Sequence, residues 1–251
     1  MKKEVIPEGF NVAFIQWFKK KTEDAWHEGV KKDFILKKMV RMQPWERKLR
    51  WVGNVSENCI KKIEKKWKLK FPADYRLFLK ELFILNEPRH AIVYNKHNKA
   101  AIKKIPMFNN WLKDTKTIRH FQSQLFDGLW FDIRNNGLWL KGWGSKPQKA
   151  ENQRRRLKKL LKKAPRLIPI YQHRYLLIEP NKVNNPVFSI WQSDIIVYGP
   201  TLKTYLLSEF KNILNVDDQK VWFSEFKKQR KFIESIPFWG ELYRRNIEQR
   251  S

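Results

Sequence analysis

The chain has little cysteine and lacks long apolar runs. Its single cysteine, Cys59, has no partner within the chain for a disulfide, and no Cys/His pair stands at the spacing of a zinc site. No apolar run approaches the roughly 20 residues that cross a bilayer, and the first residues lack the apolar segment of a signal peptide. We therefore expect a cytoplasmic protein with no membrane span, no metal and no other cofactor.

Acidic residues are also scarce. The chain has 25 Asp and Glu against 53 Lys and Arg, which gives a net charge of +28 and a pI near 10.2. Such an excess favours binding to nucleic acid, to an anionic membrane surface or to an acidic protein. It does not choose among these partners, and it is equally consistent with a compositional bias carried on solvated faces.

Aromatic and β-branched residues are plentiful between residues 167 and 210. Short apolar runs at residues 167–171, 175–178, 187–191 and 195–198 have the length and composition of strands. Turn residues break the pattern at Glu179-Pro180-Asn181, Asn184-Asn185-Pro186 and Gly199-Pro200. After Pro200 the apolar spacing becomes helical, with Leu202, Tyr205 and Leu206 on one face. The pattern predicts an α+β fold in which an antiparallel or mixed sheet is flanked by helices.

The remaining segments divide into three parts. Residues 1–54 form a predicted helical extension with a break at Gly29, residues 55–210 form the α+β domain, and residues 211–251 form a second helical extension. Within the domain we predict a helix after Ser56, a second helix from Pro72 and a strand at residues 90–94. Residues 95–104 are predicted to be an exposed loop, and residues 129–133 a strand leading into an Asn136-Gly137 hairpin turn.

A basic amphipathic helix is predicted at residues 149–163. Leu157, Leu160, Leu161 and Ala164 form its apolar stripe. The rest is a basic surface made of Arg154, Arg155, Arg156, Lys158, Lys159, Lys162 and Lys163. Such a helix can lie on a membrane, contact phosphates or dock an acidic partner, or it can simply pack its leucines on its own sheet.

The nearest approach to a catalytic set is His173, Ser189, Ser193 and Asp194. A serine hydrolase needs a nucleophile, a base and an acid in contact, usually with a sharp glycine-rich elbow, and no such elbow is present. The sequence also has no phosphate-binding glycine loop and no paired-carboxylate motif. We therefore expect a protein that binds without catalysing a reaction.

Two stretches resemble a known superfamily. Residues 57–82, ENCIKKIEKKWKLKFPADYRLFLKEL, place an apolar-Pro-x-Asp-Tyr turn between two helices, and the blocks APRLIPIYQHRYLLIEP, NPVFSIWQSDIIVYG and LKTYLLSEF follow in order. This arrangement, over residues 55–210, is similar to a bacterial branch of the SUKH superfamily, which includes yeast cell-wall assembly regulators and many bacterial toxin-immunity proteins. The resemblance implies an α+β domain with a non-catalytic binding role, commonly neutralisation of a polymorphic toxin by direct contact.

Two functions follow as hypotheses. In the first, the chain is an immunity protein whose partner-binding surface beside the sheet is lined by Tyr171, His173, Arg174, Trp191, Gln192 and Asp194. A protein of charge +28 would repel a basic nuclease, so its toxin partner should be neutral or acidic. In the second, the chain binds nucleic acid through the 149–163 helix and the N-terminal aromatic residues.

Overall fold

The computed structural model describes residues 5–28, 49–87, 89–94, 100–178, 182–214 and 216–250. Within these ranges the helices are α1 (Val12–Glu28), α2 (Glu57–Trp67), α3 (Ala73–Glu81), α4 (Thr115–Asn135), α5 (Ala150–Lys163), α6 (Leu202–Glu209), α7 (Lys211–Leu214), α8 (Asp218–Ser235) and α9 (Trp239–Arg250). The strands are β1 (Trp51–Val52), β2 (Ile84–Leu85), β3 (Arg89–Tyr94), β4 (Ala100–Ile105), β5 (Leu167–Tyr171), β6 (Arg174–Leu177), β7 (Val187–Trp191) and β8 (Asp194–Gly199). The fold is α+β with helices flanking an antiparallel sheet, which confirms the predicted class.

The main sheet is a four-stranded antiparallel meander in the order β5-β6-β7-β8. All four strands follow the sequence prediction to within one residue, because each is a short apolar run bounded by turn residues. Two smaller antiparallel pairs, β1-β2 and β3-β4, complete the strands of the described chain.

Both faces of the main sheet are buried. Successive residues of a strand point to opposite faces, and here both sets are mainly apolar. One face, in what we call the first core, contributes Ile168, Ile170, Leu176, Ile178 and Val187. The other face, in the second core, contributes Leu167, Tyr175, Leu177, Phe188, Ile190, Ile195 and Val197.

Helices α1, α2, α3 and α6 enclose the first core, whose centre is aromatic. The Trp51 ring lies 5.5 Å from the ring of Phe108 and 5.5 Å from that of Phe210, and its Nε1 donates to Thr22 Oγ1 at 2.8 Å. Phe18 of α1 packs edge-on against Phe210 at 5.3 Å. The N-terminal helix is therefore packed into the same core as the sheet.

Helices α4, α5, α8 and α9 cover the opposite face. Leu129 of α4, Leu157 of α5 and Ile233 of α8 are fully buried in the second core. Trp239 of α9 is also buried there and donates from its indole nitrogen to the Pro165 carbonyl at 2.7 Å. The C-terminal helices thus supply part of the cover that the sheet needs, while the predicted three-part division of the chain stays a prediction.

Local sequence signals explain several helix ends. The Ser56 hydroxyl accepts from the Cys59 backbone amide at 3.3 Å and caps α2 as predicted. Thr201 and Thr204 form a reciprocal capping box at the start of α6, each hydroxyl accepting from the other residue's backbone amide.

Two sequence predictions are wrong. Residues 129–133 lie inside α4, whose buried residues Leu129, Asp132 and Ile133 follow helical spacing, so Asn136-Gly137 ends a helix instead of forming a hairpin. Of the predicted loop at residues 95–104, residues 100–104 belong to strand β4, which pairs in register with β3 from Arg89↔Ile105 to Tyr94↔Ala100, and residues 95–99 lie outside the described residues. The second N-terminal helix expected after Gly29 lies outside the described residues.

No helix in the described ranges has the length and apolarity to cross a bilayer.

An ion-pair cluster centred on the buried Glu64 joins α2 to α3. Glu64, whose side chain is 2% exposed, accepts through Oε1 from the Phe71 backbone amide at 2.8 Å and from the Arg76 guanidinium. Arg76 also contacts Glu57, which lies 2.8 Å from Lys80. The cluster holds the two helices on either side of the Phe71-Pro72 break.

We predict that Glu64→Ala lowers the free energy of unfolding by about 3 kcal/mol, because it leaves Arg76 and the Phe71 amide without their buried acceptor. Urea denaturation measures this loss. Lys20→Ala, which removes an exposed pair with Asp24, is the control and should cost much less. Equal losses in the two variants would contradict the role given to Glu64.

Candidate functional site

The two tight turns of the main sheet lie side by side at one of its ends. Gln172-His173 joins β5 to β6 and Gln192-Ser193 joins β7 to β8, with φ of 47° at Gln172 and 56° at Gln192. The Ile190 amide donates to the His173 carbonyl at 3.0 Å, which ties the two hairpins together. The six predicted partner-binding residues therefore lie in or next to these two turns, at the end of the sheet that we call the hairpin end.

Arg174 and Tyr171 are engaged within the protein. The Arg174 guanidinium donates to Ser189 Oγ at 2.8 Å, lies 3.9 Å above the Tyr198 ring, and places Nε 3.7 Å from Glu209 Oε2. The Tyr171 ring lies 6.0 Å from that of Phe108, against the first core. These two side chains support the hairpin end from beneath, and only part of each is open to a partner.

His173 and Trp191 form its outer surface. Their rings meet nearly at right angles, with centroids 6.3 Å apart, and Trp191 is 61% exposed. Partial burial lowers the pKa of His173 below its ordinary value, and the neighbouring charge of Arg174 lowers it further. The imidazole is therefore mostly uncharged at neutral pH and presents a neutral aromatic ring beside the indole.

The Gln192-Ser193 turn is held from two sides. On one side, the buried carboxylate of Asp132 in α4 accepts from the Ser193 amide at 2.8 Å, and a Cβ at Gly128 would lie 2.8 Å from Gln192 Cα. On the other, the Asn246 side-chain amide of α9 donates to the Ser193 carbonyl at 3.0 Å and to the Ile195 carbonyl at 3.2 Å. This clamp fixes the position from which the Trp191 indole projects.

A groove of about 230 Å³ runs between this turn and α4. Its lining residues are Gln124, Leu125, Asp127, Gly128, Phe131, Tyr175, Ile190, Trp191 and Gln192. Phe131 is 48% exposed, so it and Trp191 give the groove two accessible aromatic rings. The sequence reasoning missed the α4 residues because it placed a strand at 129–133; a longer window would have put residues 124, 128 and 131 on one helical face.

A second cavity, of about 300 Å³ and more polar, lies on the α9 side of the same turn. It is lined by Asp132, Asn136, Leu138, Ser193, Asp194, Arg245, Asn246 and Gln249. The exposed Asp194, predicted beside Trp191 and Gln192, faces this cavity, while Trp191 and Gln192 line the groove. The turn therefore divides the predicted set between two surfaces.

The possible catalytic set does not form a hydrogen-bonded chain. Among the described residues, the His173 ring packs on Trp191, and no hydrogen bond joins it to Ser189 or Ser193. The Ser189 hydroxyl accepts from Arg174. In the same ranges, no three His, Cys, Asp or Glu side chains converge as metal ligands.

The predicted basic surface lies on α5, the helix that precedes strand β5 in the sequence. All seven of its side chains are exposed, while Leu157 is buried in the second core and Leu160, Leu161 and Ala164 are partly buried against it. The structure therefore confirms the helix and the inward direction of its leucines.

We predict that His173 makes the folded state less stable on acidification. The unfolded chain binds a proton near the ordinary histidine pKa of about 6.5, whereas the folded state binds it only at lower pH, so stability falls as pH drops below that value. Urea titrations give the free energy of unfolding at about pH 7.5 and at about pH 5.5. Between these two pH values, the free energy of unfolding should fall less for His173→Gln than for the unmodified chain. His120→Gln, at an exposed position on α4, is the control. An unchanged pH dependence in His173→Gln would refute the assignment.

Comparison of the chain with protein-family models found no match, and comparisons with curated proteins and with solved structures found none either. The resemblance to the SUKH superfamily therefore stays a prediction from the sequence blocks at residues 57–82 and 164–210.

Proposed function

We propose that the chain is a non-catalytic binding protein that holds a protein partner at the hairpin end and in the adjoining groove. The observation that carries the proposal is the exposed Trp191 at the end of β7, beside a turn whose backbone is fixed by Asp132 and Asn246. An indole supplies a large contact area with few rotatable bonds, and a fixed backbone reduces the ordering cost of association.

The composition of the surface supports a protein partner. Trp191 and Phe131 can act as anchors for apolar side chains, and Gln124, Asp127 and Gln192 add polar groups at the groove. Protein interfaces commonly combine a few buried aromatic anchors with a polar rim. The imidazole of His173 adds a second aromatic ring next to the indole.

The resemblance and the charge together narrow the partner. Immunity proteins of the SUKH type neutralise toxins by direct contact, and we extend that role to this chain as part of the proposal. Because the net charge is +28, a basic toxin domain would be repelled, so the proposed partner is a neutral or acidic toxin domain. The proposal includes a cytoplasmic site of action.

The test begins with capture of the partner by the tagged chain at moderate salt after nuclease treatment, followed by binding measurements with the purified partner domain. Trp191→Ala should weaken binding by about 30-fold, the effect of removing an anchor worth about 2 kcal/mol. Phe223→Ala, which truncates an aromatic residue of similar exposure on α8, should leave affinity within about twofold.

Growth provides the functional readout. Co-expression of the unmodified chain should rescue cells from the captured domain, and Trp191→Ala should rescue them less well than Phe223→Ala. Recovery of no protein after nuclease treatment, or equal rescue by the two variants, would contradict the proposal.

A further inference from the structure

Helix α5 presents a cationic surface that the protein does not neutralise. Residues 149–163 contain Glu151 as their single acidic residue, and none of the seven exposed basic residues lies within an ion-pair distance of a carboxylate in the described part of the chain. Helix α8 differs, since Lys220, Lys228 and Arg230 are each paired with a neighbouring Asp or Glu.

Three of the α5 residues form a stripe directed away from the body of the protein. At about 100° per residue, Arg155, Lys159 and Lys162 project opposite the buried Leu157. Along the helix axis they span about 10 Å. A row of cations at this spacing can contact several phosphates of one polynucleotide strand.

The flanking cations are held in place by the protein. Arg154 and Lys158 lie 5.7 and 5.8 Å from the centroid of the Phe126 ring, and Arg156 donates to the Trp143 carbonyl at 3.1 Å. These contacts orient the sides of the surface without cancelling its charge.

The burial of the α5 leucines indicates which kind of anionic partner fits this helix. A helix that binds a membrane inserts an apolar face, but the apolar face of α5 packs on the second core. A protein interface core is enriched in apolar and aromatic anchors and depleted in lysine, whereas the outward face of α5 carries Arg155, Lys159 and Lys162 with the polar Asn152, which accepts from Arg155 at 2.7 Å. A polymer with regularly spaced anionic groups needs neither an exposed apolar helix face nor an aromatic anchor.

We propose that α5 binds the phosphodiester backbone of nucleic acid through Arg155, Lys159 and Lys162. No residue of α5 lines the groove at Trp191, so the inference does not depend on the proposed protein partner. Contacts of this kind position a polynucleotide without reading its sequence.

The experiment measures affinity for a DNA duplex and for an RNA duplex of about 20 base pairs over roughly 50–200 mM salt. The variant Arg155→Gln/Lys159→Gln/Lys162→Gln is compared with Lys220→Gln/Lys227→Gln/Lys231→Gln, which removes the same charge from α8. The α5 variant should bind more than about tenfold more weakly. The slope of the logarithm of its binding constant against the logarithm of salt concentration should decrease in magnitude by roughly three, while the α8 variant should change that slope much less.

Either duplex can support the inference, and the tighter one identifies the nucleic acid. Equal losses in the two variants would overturn it, because the binding would then follow net charge and not α5. The absence of duplex binding, or binding only to phosphatidylserine vesicles, would overturn it as well. Thermal denaturation establishes that both variants are folded.

Discussion

The structure depends on a four-stranded antiparallel sheet that is apolar on both faces. Antiparallel sheets often leave one face in water, but here neighbours such as Leu176 and Leu177 are buried in different cores. Burying a side chain of this size contributes roughly 2 kcal/mol, so neither face can be left uncovered without a large loss. The requirement for cover on both sides is met by helices from distant parts of the sequence: α1 contributes to the first core and α9 to the second.

Two-sided burial also decides where this protein can meet a partner. With the strand faces occupied, a partner can reach the sheet at the hairpin end, where Trp191 is exposed beside a turn. The apolar groove is lined in part by α4, and the cationic face belongs to α5. Both helices cover the second core, but the two surfaces differ in chemistry. The groove suits a packed interface that excludes water, whereas the α5 face suits a solvated, salt-dependent contact.

Sequence reasoning succeeded where structure is set by neighbouring residues. The β5–β8 meander and the cap of α2 at Ser56 follow from local composition, and two-residue turns bring His173 and Trp191 to one end. It failed at residues 129–133, where a five-residue window concealed the period of a long helix, and at the Lys-containing strand β4. Gly128 and Asn246 could not be assigned to the site, because only tertiary packing brings these distant positions to the same turn.

We propose that the hairpin end is a preorganised surface on a rigid sheet. Amide hydrogen exchange in the native state tests it at the Ser193 amide, which donates to the buried Asp132 carboxylate at the tip of the β7–β8 hairpin. We predict that this amide exchanges within about tenfold of the strand amide of Leu177, which is bonded to the Pro186 carbonyl inside the sheet. Exchange at Ser193 near the rate of an unstructured chain, with Leu177 still protected, would contradict the account.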